Sequence, residues 1–216
     1  MPPKVKICGI WTIEAAHAAI NDSADFLGFI HFPKSPRHLT LNAMKDLMLA
    51  IRSVNATIPL VSVVVNPEND MLETLRDAVK PDLIQLHGKE TPERVAEIAG
   101  LTNIPLIKAI SVSEKSDLDG VSAFEPHVGY MLFDAKTPKD AALPGGMGLS
   151  FDWSLMRAYA GSKEWFLAGG LDAGNAAKAV TLSGAPMLDI SSGVESAPGI
   201  KDAGLISGFL KAAKSL

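Results

Sequence analysis

Eight short apolar runs alternate with helix-patterned segments along 216 residues. That alternation predicts an α/β fold, a single-domain (β/α)8 TIM barrel. Three observations carry the prediction. The runs recur at regular spacing, and the segments between them are long enough to return the chain for another parallel strand. No shift in composition marks a second domain anywhere in residues 1–216. An open doubly wound sheet is the competing arrangement, but it normally uses fewer strands, and no GxGxxG opens the first helical segment.

The elements follow in order. KVKICGI (4–10) ends on Cys8 and Gly9 and precedes a helical pattern over 12–22. DFLGFIH (25–31) runs into FPKSPRHLT (32–40), where two prolines restrict the backbone before a helix over 40–55. In that helix Leu41, Met44, Leu47, Met48 and Ile51 recur every three to four residues, which makes one apolar face. PLVSVVVN (59–66) and LIQLHG (83–88) are followed by helical patterns over 69–79 and 92–100. LIKAI (106–110) is followed by a weak segment over 113–124, expected to be a short or irregular helix. YMLFD (130–134) leads to the glycine-rich LPGGMGLSFDW (143–153) and a helical pattern over 152–160. EWFLAGG (164–170) and MLDISSG (187–193) complete the strands, with helices expected over 175–182 and 201–215.

Composition narrows the function classes. The chain is 47% apolar, with 24 acidic against 20 basic residues and a formal charge of -4, so nothing suggests a nucleic-acid partner. A single cysteine excludes an internal disulfide and points to a reducing, cytoplasmic setting. The chain enters a strand-like segment without a secretory apolar region, and no apolar run approaches the roughly 18 residues of a membrane span. No membrane partner is expected.

In such a barrel, chemistry gathers at the C-terminal ends of the strands. Cys8, His31, Asn66, His87, Asp134, Gly169–Gly170 and the 191–193 turn all fall at or near those ends. Cys8 is either buried filler or a reactive thiol, and nearby positive charge would favour its thiolate and make it a base. Period two puts Lys6 on the same face as Cys8. If that face is luminal, Lys6 needs a partner, and barrel closure offers Asp189. Asp134 closes an apolar run, where a carboxyl group is either a cap or the complementary general acid. Arg37, which follows Pro33 and Pro36 in the loop before a helix, is either a solvated surface cation or a group that binds a carboxylate or orients a developing enol(ate).

Two glycine turns after consecutive late strands suggest an anion site. AGGLDAGN (168–175) supplies Gly169 and Gly170, with Asp172 as a candidate helix cap. DISSGVESAPGIKD (189–202) supplies Ser192 and Gly193, whose backbone N–H groups can cradle a phosphate. No P-loop sequence is present, the five histidines have no compact ligand spacing, and Cys8 has no cysteine partner, so neither a nucleotide cofactor nor a metal is expected.

These residues resemble the phosphoribosylanthranilate isomerase family of tryptophan biosynthesis. The likeness runs through KICG (6–9), GFIHFPKSPR (28–37), QLHG (85–88), LFD (132–134), GGMG (145–148), FDW (151–153), GGLDAGN (169–175) and DISSGVESAPGIKD (189–202). It implies Cys8 as general base, Asp134 as general acid, Arg37 as a substrate-positioning group and the turns at Gly170 and Gly193 as the phosphate grip. The implied substrate is a small anionic phosphosugar-anthranilate, rearranged without metal or redox cofactor. One departure is Met147, where the family usually carries threonine in this loop. Three other functions compete. A metal-assisted sugar-phosphate epimerase would need converging ligands. An aminoimidazole carboxamide ribonucleotide isomerase typically pairs two aspartates. A binding protein would keep the glycine turns and tolerate loss of Cys8 and Asp134.

Overall fold

The structure, a computed structural model, describes residues 1–136 and 148–216. Eight strands lie where the apolar runs predict them: β1 (Lys4–Cys8), β2 (Phe26–His31), β3 (Leu60–Val64), β4 (Leu83–Leu86), β5 (Leu106–Val112), β6 (Tyr130–Ala135), β7 (Trp165–Leu167) and β8 (Met187–Ile190). They pair in parallel and in chain order, and β8 closes on β1 with Lys6 opposite Asp189. Closure leaves the barrel with no open sheet edge.

Six α-helices cover the outside among the described residues: α1 (Ile13–Asn21), α2 (Leu41–Val54), α3 (Asn69–Thr74), α4 (Pro92–Thr102), α5 (Ala176–Ser183) and α6 (Ala203–Lys214). Local chemistry sets their starts. Thr12, Thr40, Thr91 and Asp202 each accept a hydrogen bond from a first-turn backbone N–H, and Pro92 follows Thr91 at the first helical position. On α2 the predicted stripe buries Met44, Met48 and Ile51 against the barrel. The weak segment after β5 forms only three 3-10 turns, within Lys115–His127. Gly120 there takes a φ of +76°, and Pro126 removes a donor, so no continuous helix forms. The helix expected over 152–160 is a 3-10 turn, Trp153–Ala158, started by Asp152.

Strand parity divides the core in two. Val5, Ile7, Leu27, Phe29, Leu60 and Val64 face the helices in the outer layer. Cys8, Phe26, Val61, Val63, Leu132 and Phe166 fill the lumen. Phe26, Tyr130 and Phe166 meet with ring centroids 5.3–6.0 Å apart, at one level of the lumen. Further along the strands the luminal side chains become polar: Lys6, Gln85, Asp134 and Asp189 are all buried. After β8 the chain makes a two-stranded hairpin, β9 (Glu195–Ala197) and β10 (Ile200–Lys201), which sets Lys201 opposite Glu195.

Candidate active site

One cavity, about 840 Å³ measured out to its open mouth, lies at the C-terminal end of the barrel. Its wall includes Cys8, Arg37, Asp134, Gly169, Gly170, Ser192 and Gly193, together with Gln85, His87 and Asp189. Not every polar strand end contributes. His31 donates from Nδ1 to the Leu39 carbonyl at 2.8 Å. Asn66 lines a separate cleft with Lys89 and Arg94.

Cys8 is buried beside Lys6, as shared parity on β1 requires. The Lys6 ammonium is fully buried and donates at 2.8 Å to Asp189 Oδ1 and at 2.8 Å to Gln85 Oε1. The predicted Lys6–Asp189 pair is therefore present, with Gln85 as a second acceptor. Burial works against the Lys6 charge, yet Asp189 and Cys8 outweigh it and hold the ammonium above its ordinary pKa. For Cys8 the balance runs the other way. Burial pushes the thiol up and Asp189 adds to that, while Lys6 and Lys201 only partly offset it. The expected activation by positive charge is present in geometry but loses to desolvation. Gly28 on β2 makes this packing possible, because a Cβ there would stand 2.8 Å from Cys8 Sγ and 3.1 Å from Lys6 Cε.

Asp134 faces the same cavity from β6. Its Oδ1 accepts from the Ala135 backbone N–H at 2.8 Å. Its Oδ2 lies 3.4 Å from His87 Nε2, and the other ring nitrogen meets Gln85 Nε2 at 2.9 Å. His87 is thus part of the cavity wall and neighbours the carboxyl group.

Arg37 is buried rather than a surface cation. Its Nε and Nη2 donate to the two oxygens of Glu195 at 2.6 and 2.8 Å, a bidentate grip. Lys201 donates to the same carboxylate at 2.7 Å and to the Ser191 carbonyl at 2.9 Å. Burial opposes ionisation of Glu195, but Arg37 and Lys201 overcome it and depress its pKa. Arg37 and Lys201 thus converge on one buried carboxylate at this side of the site.

Glycine shapes the remaining wall. Gly169 and Gly170 take φ of +87° and +67°, and a Cβ on Gly170 would come 2.8 Å from Ser150 Cβ. At Gly193 a Cβ would collide with the Leu171 carbonyl oxygen. Ser192–Val194 forms a single 3-10 turn beside it. Asp172 does not cap α5. Its Oδ1 accepts from Gly174 N and Asn175 N at 2.7 and 2.9 Å, which closes the turn before the helix, and Asn175 holds the cap position. Met147 lies outside the described residues, while Gly148 and Leu149 reach the cavity.

Four contributors had no role assigned from sequence: Gln85, Glu195, Lys201 and Gly28. For Gln85 a signal existed, since period two puts it on the luminal face with Leu83 and a buried amide needs partners. Glu195 and Lys201 meet through a hairpin that the glycine-rich sequence does not announce. Among the described residues no three His, Cys, Asp or Glu side chains converge to hold a metal ion, and no helix is long and apolar enough to cross a membrane.

Comparison with known proteins agrees with this geometry. The family model described as N-(5'phosphoribosyl)anthranilate (PRA) isomerase matches residues 5–212. A protein of Caulobacter sp. (strain K31) named N-(5'-phosphoribosyl)anthranilate isomerase is 46% identical over 211 residues, 98% of each chain. The crystal structure of phosphoribosyl anthranilate isomerase from Thermotoga maritima superposes with a TM-score of 0.85 at 32% identity, covering 99% of this chain and 100% of that one. A crystal structure of phosphoribosyl anthranilate isomerase in complex with reduced 1-(o-carboxyphenylamino)-1-deoxyribulose 5-phosphate matches with a TM-score of 0.82 at 30% identity, with 99% and 100% coverage. A family model matching residues 5–212 and a relative 46% identical over 98% of the chain make it a member of the N-(5'-phosphoribosyl)anthranilate isomerase family.

Proposed function

We propose that this chain converts N-(5-phosphoribosyl)anthranilate to 1-(2-carboxyphenylamino)-1-deoxyribulose 5-phosphate, with Asp134 as general acid and Cys8 as general base. The observation that carries the assignment is their placement: a carboxyl from β6 and a thiol from β1 face one cavity, with β7 and β8 between them. Asp134 gives its proton to the ribose ring oxygen as the C1–O bond opens, which leaves an iminium at C1. The iminium acidifies the C2 hydrogen, and the Cys8 thiolate takes that proton, so the electron pair forms the C1–C2 double bond of an enolamine. Transfer of a proton from the C2 hydroxyl to C1 then yields the ketone. Lys6 and Lys201 are the counter-charges for the thiolate.

Arg37, held by Glu195, orients the anthranilate carboxylate, and the turns at Gly169–Gly170 and Ser192–Gly193 hold the phosphate. Two anchored anionic ends fix the sugar between acid and base and lower the entropic part of the barrier. This reading treats residues 1–216 as one barrel domain acting in the cytoplasm on a small anionic substrate, a step of tryptophan biosynthesis.

The test is turnover of freshly generated phosphoribosylanthranilate. Cys8→Ala and Asp134→Asn, each shown folded by circular dichroism, are expected to lose at least ~10²-fold in kcat. Near-normal turnover in either variant removes that residue from its role, and ligand binding by a wild-type chain without turnover favours a binding protein.

A further inference from the structure

A polar chain runs from the buried Lys6 to the cavity wall, and proton transfer at Asp134 and Cys8 does not by itself explain it. Lys6 Nζ donates to Gln85 Oε1, Gln85 Nε2 meets His87 Nδ1, and His87 Nε2 stands 3.4 Å from Asp134 Oδ2. The protonation of every link can be deduced from its two ends. An ammonium has donors and no acceptor, so the atom facing Lys6 is the amide oxygen of Gln85. The amide nitrogen therefore faces His87 and donates. His87 Nδ1 must accept, so it carries no proton, and the single ring proton sits on Nε2, on the side of Asp134.

Gln85 is almost completely buried, and its amide cannot reverse without setting N–H groups against the Lys6 ammonium. Asp134 has one oxygen engaged by the Ala135 N–H, so Oδ2 is the oxygen turned to the ring. At 3.4 Å that approach is long for a hydrogen bond, as contacts to catalytic groups often are before the transition state.

We propose that Gln85 is a positioning residue for the acid: it holds His87 as the neutral Nε2–H tautomer, so that the ring donates to the carboxylate that forms on Asp134 as its proton leaves. His87 is thereby the group that stabilises the developing charge, and Lys6, which neighbours the base, orients it from the far end of the chain. The kinetic half of this inference rests on the acid role proposed for Asp134; the tautomer half does not.

The experiment uses the full chain with 15N-labelled histidine, together with steady-state kinetics. The His87 resonances of the wild-type protein are expected to show a protonated Nε2 and an unprotonated Nδ1. Gln85→Glu keeps the shape and an acceptor for Lys6 but presents a carboxylate to Nδ1, so it is expected to draw a proton onto Nδ1. In this variant kcat should fall about 10-fold or more with KM within about twofold, because the change redirects a donor used in the transition state and leaves the substrate's two anionic anchors in place. In a His87→Gln background, where the side-chain amide donates without a tautomer choice, Gln85→Glu should cost no more than about twofold further. A wild-type His87 carrying its proton on Nδ1, or a Gln85→Glu chain whose tautomer changes while kcat does not, overturns the proposal. Full turnover in Asp134→Asn would instead fail the acid assignment, and with it the kinetic half, while the wild-type tautomer spectrum would still decide the positioning of His87.

Discussion

Two buried lysine–carboxylate pairs stand on opposite faces of the same sheet. Lys6–Asp189 lies in the lumen at 2.8 Å, with side chains 0% and 8% exposed. Lys108–Glu90 lies at 2.6 Å, with side chains 3% and 1% exposed, on the strand face whose Leu106 and Val112 pack in the outer layer. The pairs are alike in chemistry and burial, yet their lysines shift in opposite directions. Burial dominates at Lys108 and lowers its pKa despite Glu90. At Lys6 burial is outweighed by Asp189 and Cys8, and the pKa rises. The partners explain the difference. Lys108 shares Glu90 with the backbone N–H groups of Asn66 and Gly88, so that carboxylate pins the turns after β3 and β4. Lys6 has Asp189 Oδ1 and Gln85 Oε1 as acceptors, with the thiol beside it. One pair holds loops, and the other holds a charge beside the thiol proposed as the base.

That contrast can be broken first at its strongest point. Lys6→Met is expected to cost ~3–5 kcal/mol in urea unfolding, since it leaves Asp189 buried without its partner. It should also lose at least ~10²-fold in kcat through the thiol. Lys108→Met should cost a similar ~3–5 kcal/mol but keep kcat within about tenfold, because it touches neither candidate acid nor base. Equal kinetic damage from both would end the distinction. Next in size, the double variant Lys6→Met/Asp189→Leu should regain at least ~2 kcal/mol of the single variant's loss, because no unpaired charge stays in the lumen, while turnover stays low. Glu90→Gln, which keeps an acceptor for the backbone donors, should cost ~1–3 kcal/mol and act on stability alone.

The smallest effect is a shift in a titration. Burial raises the Cys8 thiol above its ordinary value of 9.0, so its thiolate fraction is still growing as pH rises past 9. Alkylation of Cys8 by iodoacetamide should therefore keep accelerating at pH values where a free thiol has levelled off. Lys6→Met should push that rise further up, since Lys6 is the largest influence favouring the thiolate, and Lys108→Met should leave it in place. A rise that levels off below pH 9 would contradict the dominance of burial.

Much of this was legible in residue order. Alternating apolar runs specify strands because parallel sheets buried on both faces need them, and all eight runs became strands. Strand ends indicated where Cys8 and Asp134 would meet a cavity, and closure of the barrel indicated the Lys6–Asp189 pair. Where the local signal was weak, as over 113–124, only irregular turns formed. The reading failed where a motif looked complete in itself. Asp172 precedes a helix and reads as its cap, but Asn175 is nearer and takes that place.

From the sequence alone come the period of each element, the parity of Lys6 and Cys8 and the presence of reactive groups at strand ends, because these depend on covalent order and short-range geometry. Only the tertiary structure decided that Glu195 grips Arg37 from 158 positions away, that Gln85 bridges Lys6 and His87, and that burial outweighs the lysines in setting the direction of the thiol's pKa shift. Those outcomes rest on desolvation and on the orientation of buried dipoles, and both arise only when distant segments close around the same space.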